Sequence, residues 1–219
     1  MIKPTRQKPP QKRREQQRAA DTKTAILAAA LEEFADKGFD AASIRVIAER
    51  TGLNHPLITY HYKTKDILWR AVAEEMFAKV RLLWDEVAPA DSTQTSIERV
   101  REEYRIFMRF TMEYPDFHRF MVHESRSGSP RLAWVVETIL KPLMTGILPY
   151  IADAQAKGEL PPGHPVLVHY MFIGMISVLS SLAPEIQGTS QIDPKAPQTI
   201  EAYWTLIETA MFNKKPLRP

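Results

Sequence analysis

Residues 43–68 read SIRVIAERTGLNHPLITYHYKTKDIL, two short helix-forming runs that meet at Gly52. Ser43 has the chemistry of a helix N-cap, and Ile44, Ile47 and Ala48 recur behind it at helical spacing. Thr51-Gly52 ends that run, because glycine reaches positive φ without a Cβ clash. A second helix is expected over residues 54–61. Pro56 lies in its opening turn, where the missing N–H would be unpaired anyway. Two short helices joined by a turn of about three or four residues form a helix-turn-helix. Ala48 is small enough to let the pair approach closely, and Leu53 and Ile58 point to the core. Asn54, His55, Leu57, Thr59, Tyr60 and His61 then face outward on a short, polar helix. Such side chains can reach base edges and phosphates, and an outward Leu57 suits a thymine methyl group. The plainer alternative makes Tyr60, His61 and Tyr62 packing residues of a small helical unit, and Tyr62 is assigned to the core.

Upstream, Asp21 or Thr22 can cap a helix on which Ile26, Leu27, Ala30, Leu31, Phe34 and Ala35 share a face. Gly38 is its expected stop, and Phe39 is expected to fold back on the same core. The order is helix, Gly-Phe, Ser cap, Ile-Ala, Thr-Gly-Leu, a short helix ending Tyr-His-Tyr, then Lys-Thr-Lys-Asp and Ile-Leu. Over residues 22–70 this pattern resembles the DNA-binding head of the tetracycline-repressor (TetR) family of transcriptional regulators. The resemblance implies base contacts from Arg45 and from the outward positions of residues 54–60. It implies phosphate contacts from Ser43, Tyr60, His61 and Lys65. One departure is Thr59, where many relatives carry Tyr, so that Tyr60 serves alone.

The rest of the chain is helical by pattern. A long helix over residues 65–87 would measure roughly 34 Å. Ala88-Pro89-Ala90-Asp91-Ser92 is a loop. Amphipathic helices follow over residues 95–114 and from Pro115 to about Ser127. Another long helix runs from Pro130 to about Lys157, an apolar one covers residues 165–183, and a polar loop covers residues 188–197. The last helix spans residues 197–212. The fold class is all-α with about nine helices. An N-terminal helix-turn-helix head precedes a C-terminal helical domain for ligand binding and dimerisation. The expected divisions are a disordered basic arm over residues 1–20, the head over 21–68, and the effector-binding and dimerisation domain over 69–219.

Residues 1–20 hold seven Lys/Arg and one Glu, whereas the remainder of the chain is slightly acidic. A basic arm beside a small domain is either a polyanion contact or a solvated tail. With no cysteine in the chain, a disulfide framework, a thiolate metal site and a cysteine nucleophile are excluded. The polar, basic N-terminus is not a secretory signal, and His169, Ser177, Ser180 and Ser181 interrupt the 165–183 segment, which reads as a buried helix. A cytoplasmic protein without membrane contact is expected. His118 and His123 are five residues apart and do not share a helix face. No HExxH, P-loop or GxSxG occurs, so no catalytic residue, metal site or cofactor is expected.

All four Trp and eight of the nine Met lie after residue 68. Phe77, Trp84, Phe107, Phe110, Met121, Trp134, Tyr170 and Met171 are core residues or the lining of an effector pocket. His123 and Glu124 are the candidate polar groups for orienting a small-molecule effector. Gly174, Ser177 and Ser181 on the apolar helix, with Tyr203, Trp204 and Ile207 on the last, are the candidate homodimer contacts. As the resemblance implies, two copies would make a four-helix interface and read double-stranded DNA at a palindromic operator. The implied protein is a repressor released by a small apolar ligand.

Overall fold

A computed structural model describes residues 11–89 and 91–212. The described residues are helical, without strands. The helices are α1 (Gln11–Ala41), α2 (Ile44–Thr51), α3 (His55–His61), α4 (Lys65–Val87), α5 (Ser96–Glu113), α6 (Pro115–Ser127), α7 (Pro130–Val135), α8 (Lys141–Ala156), α9 (Pro165–Ser181), α10 (Ala183–Thr189) and α11 (Pro197–Met211). A π turn, Val136–Leu140, joins α7 to α8, so Pro130–Ala156 is one helical run and the described helices number ten on that count. The chain divides into two compact units, with the boundary between Val72 and Ala73.

In the N-terminal unit α1 begins at Gln11. The expectation of disorder over residues 1–20 is therefore corrected for residues 11–20, and residues 1–10 lie outside the described residues. The segment QKRREQQRAA lacks an apolar face but is made of strong helix formers, and it extends a helix that the core already holds. Asp21 and Thr22 are consequently interior to α1. Asp21 accepts from Gln17 Nε2 at 2.8 Å, and Thr22 Oγ1 donates to the Arg18 carbonyl at 2.8 Å. At Gly38 (φ 70°) the helix breaks, and Phe39 stacks on Phe34 with ring centroids 6.1 Å apart. Ile26, Ala30, Phe34, Ile47, Ala48, Ile58, Leu68 and Trp69 are buried together as the core of this unit. Each large side chain removed from water contributes about 1.5–3 kcal/mol.

In the C-terminal unit a capping box opens α5. Thr95 accepts from the Glu98 N–H, and the Glu98 carboxylate accepts from the Thr95 N–H. Helix α5 packs on α8 and α9, and α9 also packs on α6, α10 and α11. Polar ties fix this arrangement. Ser96 Oγ donates to Asp153 at 2.5 Å, and Tyr203 donates to the Met175 carbonyl at 2.7 Å. The buried Thr111 hydroxyl reaches the Met108 carbonyl at 2.8 Å. The π turn has local causes. Pro142 supplies no N–H to the carbonyl four residues before it, Lys141 N–H instead reaches back to the Val136 carbonyl, and Thr138 Oγ1 occupies the Trp134 carbonyl. The expected polar loop after residue 188 also changes, because α10 runs to Thr189. Pro184 stands in its first turn, a position that breaks the preceding helix and suits the next.

By length and composition Pro130–Ala156 could span a bilayer, yet its α8 portion packs on α5 and α9. Ser177, Trp204 and Ile207 are buried within the protomer. They serve its own core, which corrects their placement among the dimer contacts. A 3.6-residue period gives the number of apolar faces on α9, and the packing decides which face turns inward. The row left outward is Leu167, Met171, Gly174, Val178 and Leu182, with Leu206 exposed on α11.

Candidate nucleic-acid interface and interior cavity

Helix α2 ends in a Schellman motif. Gly52 is left-handed at φ 65°, ψ 15°. Its N–H reaches the Glu49 carbonyl at 3.3 Å, and the Leu53 N–H reaches the Ala48 carbonyl at 3.1 Å. A Cβ at Gly52 would meet nothing within 4 Å, so backbone conformation, not space, calls for glycine. Asn54 caps α3 by accepting from the Leu57 N–H at 3.0 Å, which leaves its amide hydrogens for a partner. Beneath the pair lies Glu33, 2% exposed. It accepts from the Ser43 N–H at 3.2 Å and from Arg50 Nη2 at 3.5 Å, while Arg50 Nη1 reaches Glu32 at 2.8 Å. This carboxylate pins both ends of α2 to α1.

The outward face of this frame carries His55, Thr59 and Tyr60, and Tyr60 is 80% exposed. The Arg45 side chain is 84% exposed, in a 3.0 Å pair with Glu49. An exposed pair of this kind is worth little and yields readily to a better anion. Thr59 Oγ1 donates to the His55 carbonyl at 3.1 Å, leaving acceptor capacity. His61 is half-buried, edge-on to Tyr60 with centroids 5.5 Å apart. Leu57, expected outward, is half-buried, and so is Tyr62. Ser43 stands at the N-cap, but its hydroxyl makes no capping hydrogen bond, so that oxygen is left for another partner. The Lys65 ammonium donates to the Asp40 and Ala42 carbonyls, each at 3.0 Å, and lies 4.8 Å from the Phe39 ring centre. Two of its three hydrogens thus fasten the start of α4 to the end of α1.

The C-terminal unit encloses a cavity of about 340 Å³. Its walls are mainly apolar and include Phe77, Trp84, Phe107, Phe117, Met121, Val136, Leu140 and Ile147. Phe77 meets Phe117 edge-on with centroids 5.1 Å apart. At the polar part of the wall Tyr104 and His169 Nδ1 share a hydrogen bond of 2.5 Å, and Tyr104 stacks on Phe172 at 4.2 Å. Burial holds the His169 imidazole down to a pKa of about 4, lowers that of His118, and raises the Tyr104 phenol well above its usual range. Glu103, also on the wall, accepts from Arg99 Nε at 2.8 Å. Burial raises its pKa, and Arg99 opposes that rise.

Comparison with known proteins places this architecture. Residues 26–72 match the family described as bacterial regulatory proteins, tetR family. The HTH-type transcriptional regulator RutR of Escherichia coli (strain K12) is 25% identical over 172 residues, covering 77% of this chain and 78% of that protein. Residues 26–72 are a TetR-family head. The chain is also 43% identical, over 75 residues, to the HTH-type transcriptional repressor Rv3405c of Mycobacterium tuberculosis (strain ATCC 25618 / H37Rv). That match covers 34% of this chain and 40% of the repressor. A TetR family transcription regulator from Marinobacter aquaeolei VT8 has the same fold, with a TM-score of 0.68, 20% identity, and coverage of 91% of this chain and 100% of the other. Like its relatives, the protein is a helix-turn-helix transcriptional regulator and not an enzyme.

Of the aromatic and methionine candidates, Phe77, Trp84, Phe107, Met121 and Tyr170 line the cavity. The other candidates do not line it. Phe110 is buried behind the wall against Phe107 and Phe117, Trp134 is half-buried elsewhere, and Met171 is 51% exposed. His123 is likewise off the wall. Glu124, buried at 3%, accepts from Arg131 Nε at 3.0 Å and from Ser129 Oγ, and so holds the α6–α7 corner. The polar groups at the cavity instead include Tyr104, His118 and His169, with Glu103, Thr111 and Ser125. The spacing of His118, Met121 and Val122 at i, i+3 and i+4 was the signal that assigns them one face.

Proposed function

We propose that the protein represses transcription from a palindromic operator as a homodimer, and that a small, mainly apolar molecule entering the cavity releases it. The observation that carries this reading is α4. It is one helix from Lys65 to Val87, fastened at its first residue to the backbone of α1 and carrying Phe77, Val80 and Trp84 on the cavity wall. A ligand that moves those side chains bears on the helix that anchors the head. Because groove spacing in DNA is fixed, a change in the separation of two recognition helices lowers affinity. The ligand must favour the DNA-free state, by about 1–3 kcal/mol for a typical coupling.

The bases fall to Arg45, Asn54, His55, Thr59 and Tyr60, and the phosphates to Ser43, Tyr60, His61 and the remaining Lys65 hydrogen. Leu57 contributes through its exposed part. The homodimer forms through the outward row Leu167, Met171, Gly174, Val178 and Leu182 of α9 with Leu206 of α11, supported by their exposure, since a continuous apolar row on a monomer's surface calls for a cover. Tyr203 and Ser181 sit at its margin. The regulator acts in the cytoplasm, where its DNA is. Fluorescence anisotropy on a bound duplex tests the release. Compounds that raise the melting temperature of the protein are expected to weaken DNA binding roughly 5- to 150-fold. Stabilising compounds that leave DNA affinity unchanged would show that the cavity does not control the head.

A further inference from the structure

The cavity also specifies the chemistry of its ligand. This inference rests on the effector reading above. Tyr104 is 3% exposed, and the 2.5 Å contact with His169 Nδ1 is the described hydrogen bond of its hydroxyl. A phenol has one hydrogen to donate. If Nδ1 carried the imidazole hydrogen, that phenolic O–H would be buried without an acceptor, a cost nothing nearby offsets. Tyr104 therefore donates, and Nδ1 accepts. The imidazole is neutral, held so by burial, and a neutral imidazole with a bare Nδ1 carries its hydrogen on Nε2. No described hydrogen bond uses Nε2. His169 thus brings a fixed N–H donor to a mainly apolar wall that also carries Thr111, His118 and Ser125.

Charge narrows the choice further. No Lys or Arg lines the cavity. A carboxylate or phosphate entering it would lose its hydration with no cation in return. The one carboxylate on the wall, Glu103, is already bonded to Arg99 Nε at 2.8 Å, so a cationic ligand would compete with a standing ion pair. We propose that the cavity selects an uncharged, mainly apolar molecule bearing a carbonyl or ether oxygen, which accepts the Nε2–H of His169. Two of the wall residues, Val136 and Leu140, belong to the π turn, a helix defect frequent at functional sites.

Four probes of one shape test this: 4-acetylbiphenyl, 4-ethylbiphenyl, biphenyl-4-carboxylate and 4-(aminomethyl)biphenyl, titrated calorimetrically into the full-length protein. The ketone is expected to bind roughly five- to tenfold tighter than the hydrocarbon, the worth of one neutral hydrogen bond, and both charged probes to bind far more weakly. His169→Leu should erase the ketone's advantage over the hydrocarbon. Nitrogen NMR on histidine-labelled wild-type protein, which needs no variant to fold, should show the His169 hydrogen on Nε2, with that resonance moving as the ketone binds. A hydrogen on Nδ1, a charged probe that binds as tightly as the ketone, or a ketone that does not bind overturns the assignment. DNA release, measured in parallel, separates the two readings. A ketone that binds as stated and never weakens DNA binding overturns the regulatory role alone, and DNA release by the carboxylate overturns the ligand class alone.

Discussion

His169 and Glu33 are both ionisable side chains taken out of water, and the protein handles them differently. Glu33 keeps its bonding partners, the Ser43 N–H and Arg50, because an unpaired buried charge would be prohibitive. His169 stays neutral, its pKa lowered by burial from 6.5 to about 4. For a base whose folded pKa lies below its unfolded value, the unfolded state binds more protons between the two values, so stability is full above pH 6.5 and falls as the pH drops toward 4. The loss between pH 7 and pH 5 should be on the order of 2 kcal/mol from this residue, with His118 acting in the same direction. Urea denaturation at the two pH values checks this. His169→Gln should remove most of the difference, and an unchanged difference would assign it to other groups. Neither role was legible in the sequence. The pair His123 and Glu124 attracts notice as adjacent polar residues, but side-chain spacing does not show that Glu124 turns to Arg131 and Ser129, or that His169 meets Tyr104 across two helices.

Among the elements, α2, the turn and α3 were readable because every local signal agrees there. The capping residues, the apolar period and a glycine at positive φ point to one geometry, and the Schellman bonds at Gly52 realise it. Helix α1 was read short for the opposite reason, since residues 11–20 have propensity without an apolar face. That helix changes the expectation for the arm. Its backbone is helical from Gln11 onward, so that part of the arm is not a random chain. We predict that deleting residues 1–20 flattens the dependence of log K on log salt, since each cation that neutralises a phosphate releases about 0.9 counterion. A slope unchanged by the deletion would show that these cations stay in solvent. Helix α9 was the least legible element in orientation. It is apolar nearly all round, and only its packing shows that Ser177 faces inward and Gly174 outward.

At the scale of the whole molecule, the outward row on α9 makes its own prediction. Gly174→Arg places a long, charged side chain in the centre of that row without touching the protomer's interior, because a Cβ there meets nothing within 4 Å. Light scattering should then report monomers of normal stability. A dimer that survives the change would place the interface on another surface. A two-fold dimer would set two α3 helices toward successive major grooves, with half-sites about 34–36 Å apart. Selection of bound duplexes from a random pool, at one fixed salt concentration, tests the central claim most directly. The account predicts enrichment of an inverted repeat with half-sites about one helical turn apart, and a relaxed preference at one base pair of each half-site for Arg45→Ala, at a cost of about 1–3 kcal/mol. A pool that shows no enrichment, or one that Arg45→Ala and the wild type enrich identically, would contradict it.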